Sequence, residues 1–356
     1  MNRYVRRGIA VMTAVIMVFL TACSGEKLWA EEKAQKKEII KIGVSIYDEY
    51  DIFTAAIVKY LEEWCKSKEL EMGAAITVEV VAANKNQLTQ NDQIERFIEK
   101  EYDVICVNLV DRTNAMVIID KAKSADIPII FWNRELVQED LERWDKLYYV
   151  GSVPEQSALM QAQIVTEALS DEARFAQIDS NGDGVIQYVM LEGERGHQDA
   201  LVRTQVSVEE IKKAGFQVEK LGDEFANWNR AQATTKMNEF LDKYPWQIEM
   251  VIANDDNMAL GAIDALEQWN PNQWPLIVGV NGQSDALEMI RCKKMEGTVY
   301  HDAKGQGEAM AMIAYALANE ETIPDSIELQ QEKYVYTSYQ IINYDNVQEY
   351  LERKLY

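Results

Sequence analysis

DSNGDGVIQYVMLEGERGHQDALVR, residues Asp179 to Arg203, holds three pieces in a fixed order. An oxygen-rich loop comes first, an apolar run YVMLEG follows, and a polar cluster then opens an amphipathic stretch. Apolar residues in a short run, followed by apolar positions at helical spacing, predict a strand feeding a helix. The polar residues fall at the strand's carboxyl end, where open α/β sheets bind their ligands.

The same alternation extends outward in both directions. Upstream, IIKIGVSIY, ITVEVVAA, DVICVNLV and PIIFW read as strands. Between them lie TAAIVKYLEEWCKSKEL, QNDQIERFIEKE and NAMVIIDKAKSADI, which read as helices. The cycle restarts after YYVGS, Tyr148 to Ser152. EQSALMQAQIVTEALSD, ALVRTQVSVEEIKKAG, NRAQATTKMNEFLDKY and ALGAIDALEQW are helical there. QYVMLEG, QVEKLG, EMVIAND and PLIVGVNG are strands, and GTVYHD precedes a last helix, EAMAMIAYALANE. Strands alternating with helices imply βαβ units and parallel sheets, an α/β fold. A body of roughly 330 residues is large for one core, so two lobes are expected.

Within the loop, Asp179, Asn181, Asp183 and Gln187 offer side-chain oxygens, Val185 a carbonyl, and Gly184 the turn, as in the first nine positions of an EF-hand-type calcium loop. The twelfth position, which should supply a bidentate Glu, is Met190. Either the last ligand comes from elsewhere, or the segment is an Asx-rich turn that mimics a metal loop. Asp199 and Arg203 stand four apart on one helix face, as a surface ion pair would. Against that bland reading, they sit at a strand end beside His197, one of only two histidines in the chain. The other, His301, follows the strand GTVYHD. Asp51 and Phe53 follow the first strand, Asn133 and Arg134 follow PIIFW, and Trp228 lies in the loop NWNR. Carboxylates, amides and a guanidinium suit hydroxyls, and aromatic faces suit apolar C–H surfaces. The mixture suits a sugar. No GxSxG, HExxH, CxxC or GxxxxGK[ST] motif is present, and no catalytic set assembles.

Arg3, Arg6 and Arg7 precede the apolar run Gly8 to Leu20, which ends in Leu-Thr-Ala-Cys23. A basic segment, a short apolar segment and a small residue before a cleavage point make a secretory signal. The run is too short for a span of about 20 apolar residues. Leu20 to Cys23 looks like a bacterial lipobox, so residues 1–22 are expected to be a lipoprotein signal, Cys23 to be lipidated, and 23–38 to tether the body to the membrane. Cys65, Cys106 and Cys292 then remain, an odd number without metal-like spacing, and buried thiols are the expected state. The formal charge of −23 becomes three units more negative once the signal arginines leave. That is the wrong sign for neutralising nucleic-acid phosphates.

From Ile42 onward the chain resembles the galactose/glucose-binding proteins of ABC sugar importers and bacterial chemotaxis. The resemblance is carried by IGVSIY, NDQIERFI, NLVD, YYVGS, DSNGDGVIQ, GHQDALVRT and MVIANDDNMALGA. It implies a type I periplasmic-binding fold: two Rossmann-like lobes joined by three crossovers, closing on a sugar about a hinge. The implied division is 39–150 with 303–337 in one lobe and 151–302 with 338–356 in the other, the second carrying the calcium loop 179–187. By the same resemblance, Asp51 holds sugar hydroxyls, and Phe53 and Trp228 sandwich the pyranose. Asn133, His197, Asp199 and Arg203 match further sugar ligands, Arg134 stands where the family has lysine, and Glu249 takes the place of the missing bidentate calcium ligand. Three positions depart from the family pattern. Asp255 replaces an asparagine, Asn281 an aspartate and His301 another asparagine. The reciprocal Asp/Asn exchange moves one carboxylate, and His301 is expected to add a group titrating near neutrality.

The implied protein is a monomeric, calcium-stabilised, lipid-anchored receptor on the outer face of the cell membrane, delivering an aldohexose to an ABC permease. A sensory receptor serving a chemoreceptor or sensor kinase would carry the same residues. A LacI-type regulator shares the fold but would need a helix-turn-helix in place of the signal. An enzyme would need an activated nucleophile or a vacant metal position.

Overall fold

Short runs such as Val104–Val107 and Ile129–Trp132, every residue buried, become the central strands of parallel sheets covered on both faces. The structure is a computed structural model describing residues 37–73 and 75–353; the predicted signal, Cys23 and the tether through residue 36 lie outside them. In chain order the first elements are β1 (Ile39–Ile46), α1 (Ile52–Met72), β2 (Ala75–Ala82), α2 (Gln87–Glu99), β3 (Val104–Val107), α3 (Ala115–Ser124), β4 (Ile129–Trp132), the single turn α4 (Gln138–Leu141) and β5 (Leu147–Gly151). Next come α5 (Pro154–Ser170), α6 (Glu172–Ile178), β6 (Ile186–Glu192), α7 (Gln198–Lys213), β7 (Val218–Phe225), α8 (Arg230–Lys243), β8 (Met250–Ala253), α9 (Asp256–Trp269), β9 (Leu276–Asn281), α10 (Ser284–Arg291) and β10 (Gly297–His301). The chain continues through α11 (Ala303–Ala318), β11 (Tyr334–Tyr336), β12 (Tyr339–Asn343) and α12 (Val347–Arg353).

The strands form two six-stranded sheets, ordered β11-β5-β4-β3-β1-β2 and β12-β10-β9-β8-β6-β7. All pairings of the first are parallel. The second departs from the all-parallel expectation at one edge, where β12 runs antiparallel to β10. The register explains it: Tyr339 opens β12 opposite His301, the last residue of β10. β12 therefore enters its sheet where β10 leaves and has to run the other way. Each sheet is coated on both faces, by α1 with α11 and by α2 with α3 in the first lobe. In the second, α8 to α10 cover one face and α5 with α7 the other. Gly307 lets α11 approach α1, since a Cβ there would stand 2.4 Å from the Ile57 carbonyl oxygen.

The chain passes between the sheets after β5, after β10 and after β11. Residues at the three passages are tied in one polar knot. Ser152 Oγ lies 2.7 Å from Thr337 Oγ1 and 3.1 Å from His301 Nε2. Gln306 Nε2 donates to His301 Nε2 at 2.9 Å and reaches Ser152 and Thr337 at 3.2 and 3.3 Å. Cys65 and Cys106 are buried as apolar positions, burial pushing the Cys65 thiol up to about 12; Cys292 is exposed. Among the described residues, no helix is long and apolar enough to cross a membrane.

Candidate functional site

Three of the site residues are helix N-caps at strand ends. Asp51 caps α1, its Oδ1 accepting from Thr54 N at 2.9 Å. His197 caps α7, its Nδ1 accepting from Asp199 N at 3.2 Å. Asp255 caps α9, accepting from Met258 N at 2.9 Å and from the Asn257 amide at 3.2 Å. A cap favours a polar side chain that can accept from the backbone, and in a βαβ unit it sits at the carboxyl end of the strand. One local requirement thus makes these residues both structural and available to a ligand. His197 Nδ1 accepts, so its proton sits on Nε2, leaving that nitrogen a donor.

Ten of the eleven residues singled out from sequence line one cavity: Asp51, Phe53 and Asn133 from the first lobe, His197, Asp199, Arg203, Trp228, Asp255 and Asn281 from the second, and His301 at a passage between them. Ile52 and Asn257 join them. As it stands the cavity is narrow, with room for the centre of a water molecule over only about 40 Å³. Arg134 lies outside it. Its guanidinium stacks on the Tyr47 ring at 3.7 Å, donates to the Val110 carbonyl, and pairs with Glu194 of the other lobe. A long cationic side chain at this position reaches past the cavity to the lips of the cleft.

Arg203 is the organising group, 3% exposed. Its guanidinium donates to Ser157 Oγ at 2.9 Å, the Asn254 carbonyl at 3.1 Å, Tyr339 Oη at 3.2 Å and Asp199 Oδ2 at 3.3 Å. The Asp199–Arg203 pair is therefore buried, which overturns the surface ion-pair reading. Ser157, Asn254 and Tyr339 escaped the sequence reading, since each acts through Arg203; Asn254 lies within the quoted stretch MVIANDDNMALGA, where Asn257 too was legible as a polar residue two beyond a cap.

The aromatic walls are held from behind. Phe53 stacks on His301 with ring centres 4.0 Å apart and planes at 17°. Trp228 lies edge-on to His197 at 5.1 Å and covers Gly193 so closely that a Cβ there would meet its ring at 2.1 Å. Asn133 projects from a left-handed backbone (φ 59°) and accepts from Asn108 Nδ2 at 3.0 Å. Asn281 is 5% exposed.

Burial sets the electrostatics. Desolvation pushes the carboxyls of Asp51 and Asp199 above their ordinary range, while the nearby Arg134 opposes it at both and Arg203 at Asp199. Asp255 is raised to about 7, first by burial and then by the facing Asp51. Both histidines are held well below 6.5 by burial, with nearby arginines adding to it. This corrects the expectation that His301 titrates near neutrality: enclosed beside Arg203, its imidazole stays neutral. For Asp255 the linkage has a definite sign. Between about pH 4 and 7 the folded chain keeps a proton that the unfolded chain loses, so stability declines as pH rises through that window. Asp255→Asn keeps the cap and should remove part of the decline, at most about 4 kcal/mol. Urea-unfolding midpoints at pH 5 and pH 8 measure it, and an undiminished decline in the variant would contradict the assignment.

The oxygen-rich loop precedes β6. Asp179, Asn181 and Asp183 each accept loop N–H groups, from Gly182, Asp183 and Val185, all at 2.8 Å. Glu249, 2% exposed before β8, receives Ser180 N at 2.6 Å and Gln187 N at 3.0 Å. Each of these acceptors is a side-chain oxygen. Among the described residues, no three His, Cys, Asp or Glu side chains gather as a metal-holding group.

Two lobes of flanked sheets, linked by three passages and enclosing a polar cleft with aromatic walls, define a hinged solute receptor. The chain belongs to the periplasmic binding protein family: the model of the periplasmic binding protein domain matches residues 42–322. It is a type I binding protein of ABC sugar transporters, an extracytoplasmic class of receptors and not of enzymes. The D-galactose/methyl-galactoside binding periplasmic protein of Haemophilus influenzae is 32% identical over 314 residues, 88% of this chain and 92% of that protein. The ribose import binding protein of Bacillus subtilis is 24% identical, over 92% of this chain and all of that one. Among solved structures, an ABC transporter solute binding protein from Bacillus halodurans with bound myo-inositol matches with a TM-score of 0.73 at 27% identity, over 91% of this chain and 99% of that chain.

Proposed function

We propose that the protein binds an aldohexose of the galactose/glucose type between its lobes and delivers it to an ABC permease. One observation carries the reading: both lobes present hydroxyl partners and aromatic faces to a single cavity. Asp51, Asp199 and Asp255 would accept from sugar hydroxyls, and Arg203, His197 Nε2 and the amides of Asn133 and Asn281 would donate. Phe53 and Trp228 would cover the ring's faces. The narrow cavity implies that the lobes part to admit the ring, as a hinge allows. The lobes are divided as 39–150 with 303–337 and 151–302 with 338–356. A panel of monosaccharides in a thermal-shift assay tests the reading. Galactose or glucose at about 100 times Kd should stabilise by about 2.7 kcal/mol, and a panel with no stabilising hexose would overturn it. A sensory partner in place of the permease would leave the same binding data.

Asp255, Asn281 and His301 are the proposed determinants of which hexose is preferred. Calcium is the proposed structural ion, held by Asp179, Asn181, Asp183, Val185 carbonyl, Gln187 and Glu249. The all-oxygen set suits a hard cation. Asn181 Nδ2 and Gln187 Nε2 now donate to Gln187 Oε1 and Asp183 Oδ2, both at 3.1 Å, satisfying oxygens a cation would draw in. Calcium at 100 times its Kd should add about 2.7 kcal/mol; an unchanged melting temperature after EDTA treatment of calcium-loaded protein would remove the ion from the account. Lipidation at Cys23 completes the proposal, and Cys23→Ala should release the protein from the cell surface.

A further inference from the structure

We infer that Glu194 governs how long the closed cleft keeps its hexose, by clasping the second lobe to Arg134 and Lys85 of the first. The inference rests on the sugar-binding reading of the cleft. Every described ion pair that runs from one lobe to the other ends on this carboxylate. Arg134 Nη2 donates to Glu194 Oε2, and Lys85 Nζ stands 3.9 Å from Glu194 Oε1. The polar knot of Ser152, His301, Gln306 and Thr337 ties the lobes where the chain passes between them. The clasp ties them at a second place, in a cavity adjoining the cleft that all three of its residues line.

The first-lobe half of the clasp is fixed in advance. The Tyr47 ring and the Val110 carbonyl hold the Arg134 guanidinium within its own lobe, so little freedom is lost when Glu194 arrives. Side-chain exposure is 11% for Arg134 and 25% for Glu194. That shelter separates the pair from open surface bridges, which water and salt make nearly worthless. The other charges around the cavity have partners of their own. Lys85 also meets Asp48 at 3.2 Å, Arg112 Nε donates to the Glu135 carbonyl at 2.8 Å, and Arg195 lies over the Phe225 ring at 4.7 Å. Glu135 accepts from the Tyr336 hydroxyl at 2.9 Å, and Asp111 from Thr113 N at 2.9 Å. Arg134 and Lys85 are thus the cations within ion-pair reach of Glu194. The clasp also bears on residues that face the sugar. Glu194 adjoins Gly193, over which the Trp228 ring lies, and its carbonyl accepts from His197 N at 3.0 Å. Arg134 directly follows Asn133. Closing the clasp therefore sets cleft residues of both lobes at their working separation, and release has to open it.

Stopped-flow tryptophan fluorescence on the intact protein, with galactose and glucose, tests it. Glu194→Gln keeps the side chain's size and removes its charge. It should speed release of the tighter-binding hexose about tenfold and leave the association rate within about twofold, the pattern of a contact made after encounter. In an Arg134→Gln background the same change should speed release by less than about threefold, because the main partner is already gone. Without sugar, X-ray scattering should give Glu194→Gln a larger radius of gyration than the wild-type protein. If hexose binds and Glu194→Gln releases it within about twofold of the wild-type rate, or acts equally with and without Arg134, the clasp is refuted while the hexose reading stands. If neither hexose binds, that reading falls, and an unchanged radius of gyration then refutes the clasp as well.

Discussion

Arg203→Met is expected to abolish hexose binding and to lower stability by about 3–5 kcal/mol, the penalty for breaking a buried ion pair from one side. The guanidinium satisfies groups on four elements at once: Ser157 on α5, Asp199 on α7, the Asn254 carbonyl after β8 and Tyr339 on β12. Methionine fills similar volume but donates to none of the four; Ser157 keeps its bond to the Pro154 carbonyl, while the Asp199 carboxylate loses its nearest cation. Lysine should fail as well, because a single ammonium cannot present a fork of donors to four directions. Chemical denaturation measures the stability and calorimetry the binding. A methionine variant with the wild-type unfolding midpoint would show that the cluster is not buried as described.

Trp228→Ala should weaken hexose binding by a factor of about 30 or more, about 2 kcal/mol, while leaving the fold intact. Removing the indole loses one apolar wall of the cleft, and burying an aromatic face is worth this order of energy. The ring is half-buried, lies over Gly193 and packs on the margin of the second lobe's core, so its loss opens the cleft at some cost to that margin. Gly193→Ala offers the converse test. Its Cβ would collide with the ring, displacing Trp228 and weakening binding without removing any contact group. Retained affinity in both variants would exclude Trp228 from the wall.

Strands and helices were legible wherever one segment carried its own signal. The run DVICVNLV and the helix after GHQD needed no partner to be read, and Asp51 and His197 stood out because each follows a strand, where α/β sheets bind ligands, although capping alone would also place a polar residue there. Elements with weak local signals were missed. The strands Tyr334–Tyr336 and Tyr339–Asn343 are short and exist because the chain returns to each sheet in turn. Tyr339 matters through Arg203, 136 residues away, a pairing no local pattern encodes. The polar knot of Ser152, His301, Gln306 and Thr337 was hidden for the same reason. His301 was misjudged because its titration depends on enclosure, which a sequence does not display. Arg134 was placed in the sugar cleft by likeness to a lysine, but the longer, planar group stacks on Tyr47 and reaches Glu194 instead.

Isothermal titration of the calcium-loaded protein with galactose and glucose, set beside Arg203→Met, tests the central claim most directly. The account predicts saturable one-to-one binding of at least one of the two hexoses and no measurable heat from the variant. Absence of binding by the wild-type protein to either sugar, or equal binding by the variant, would contradict it.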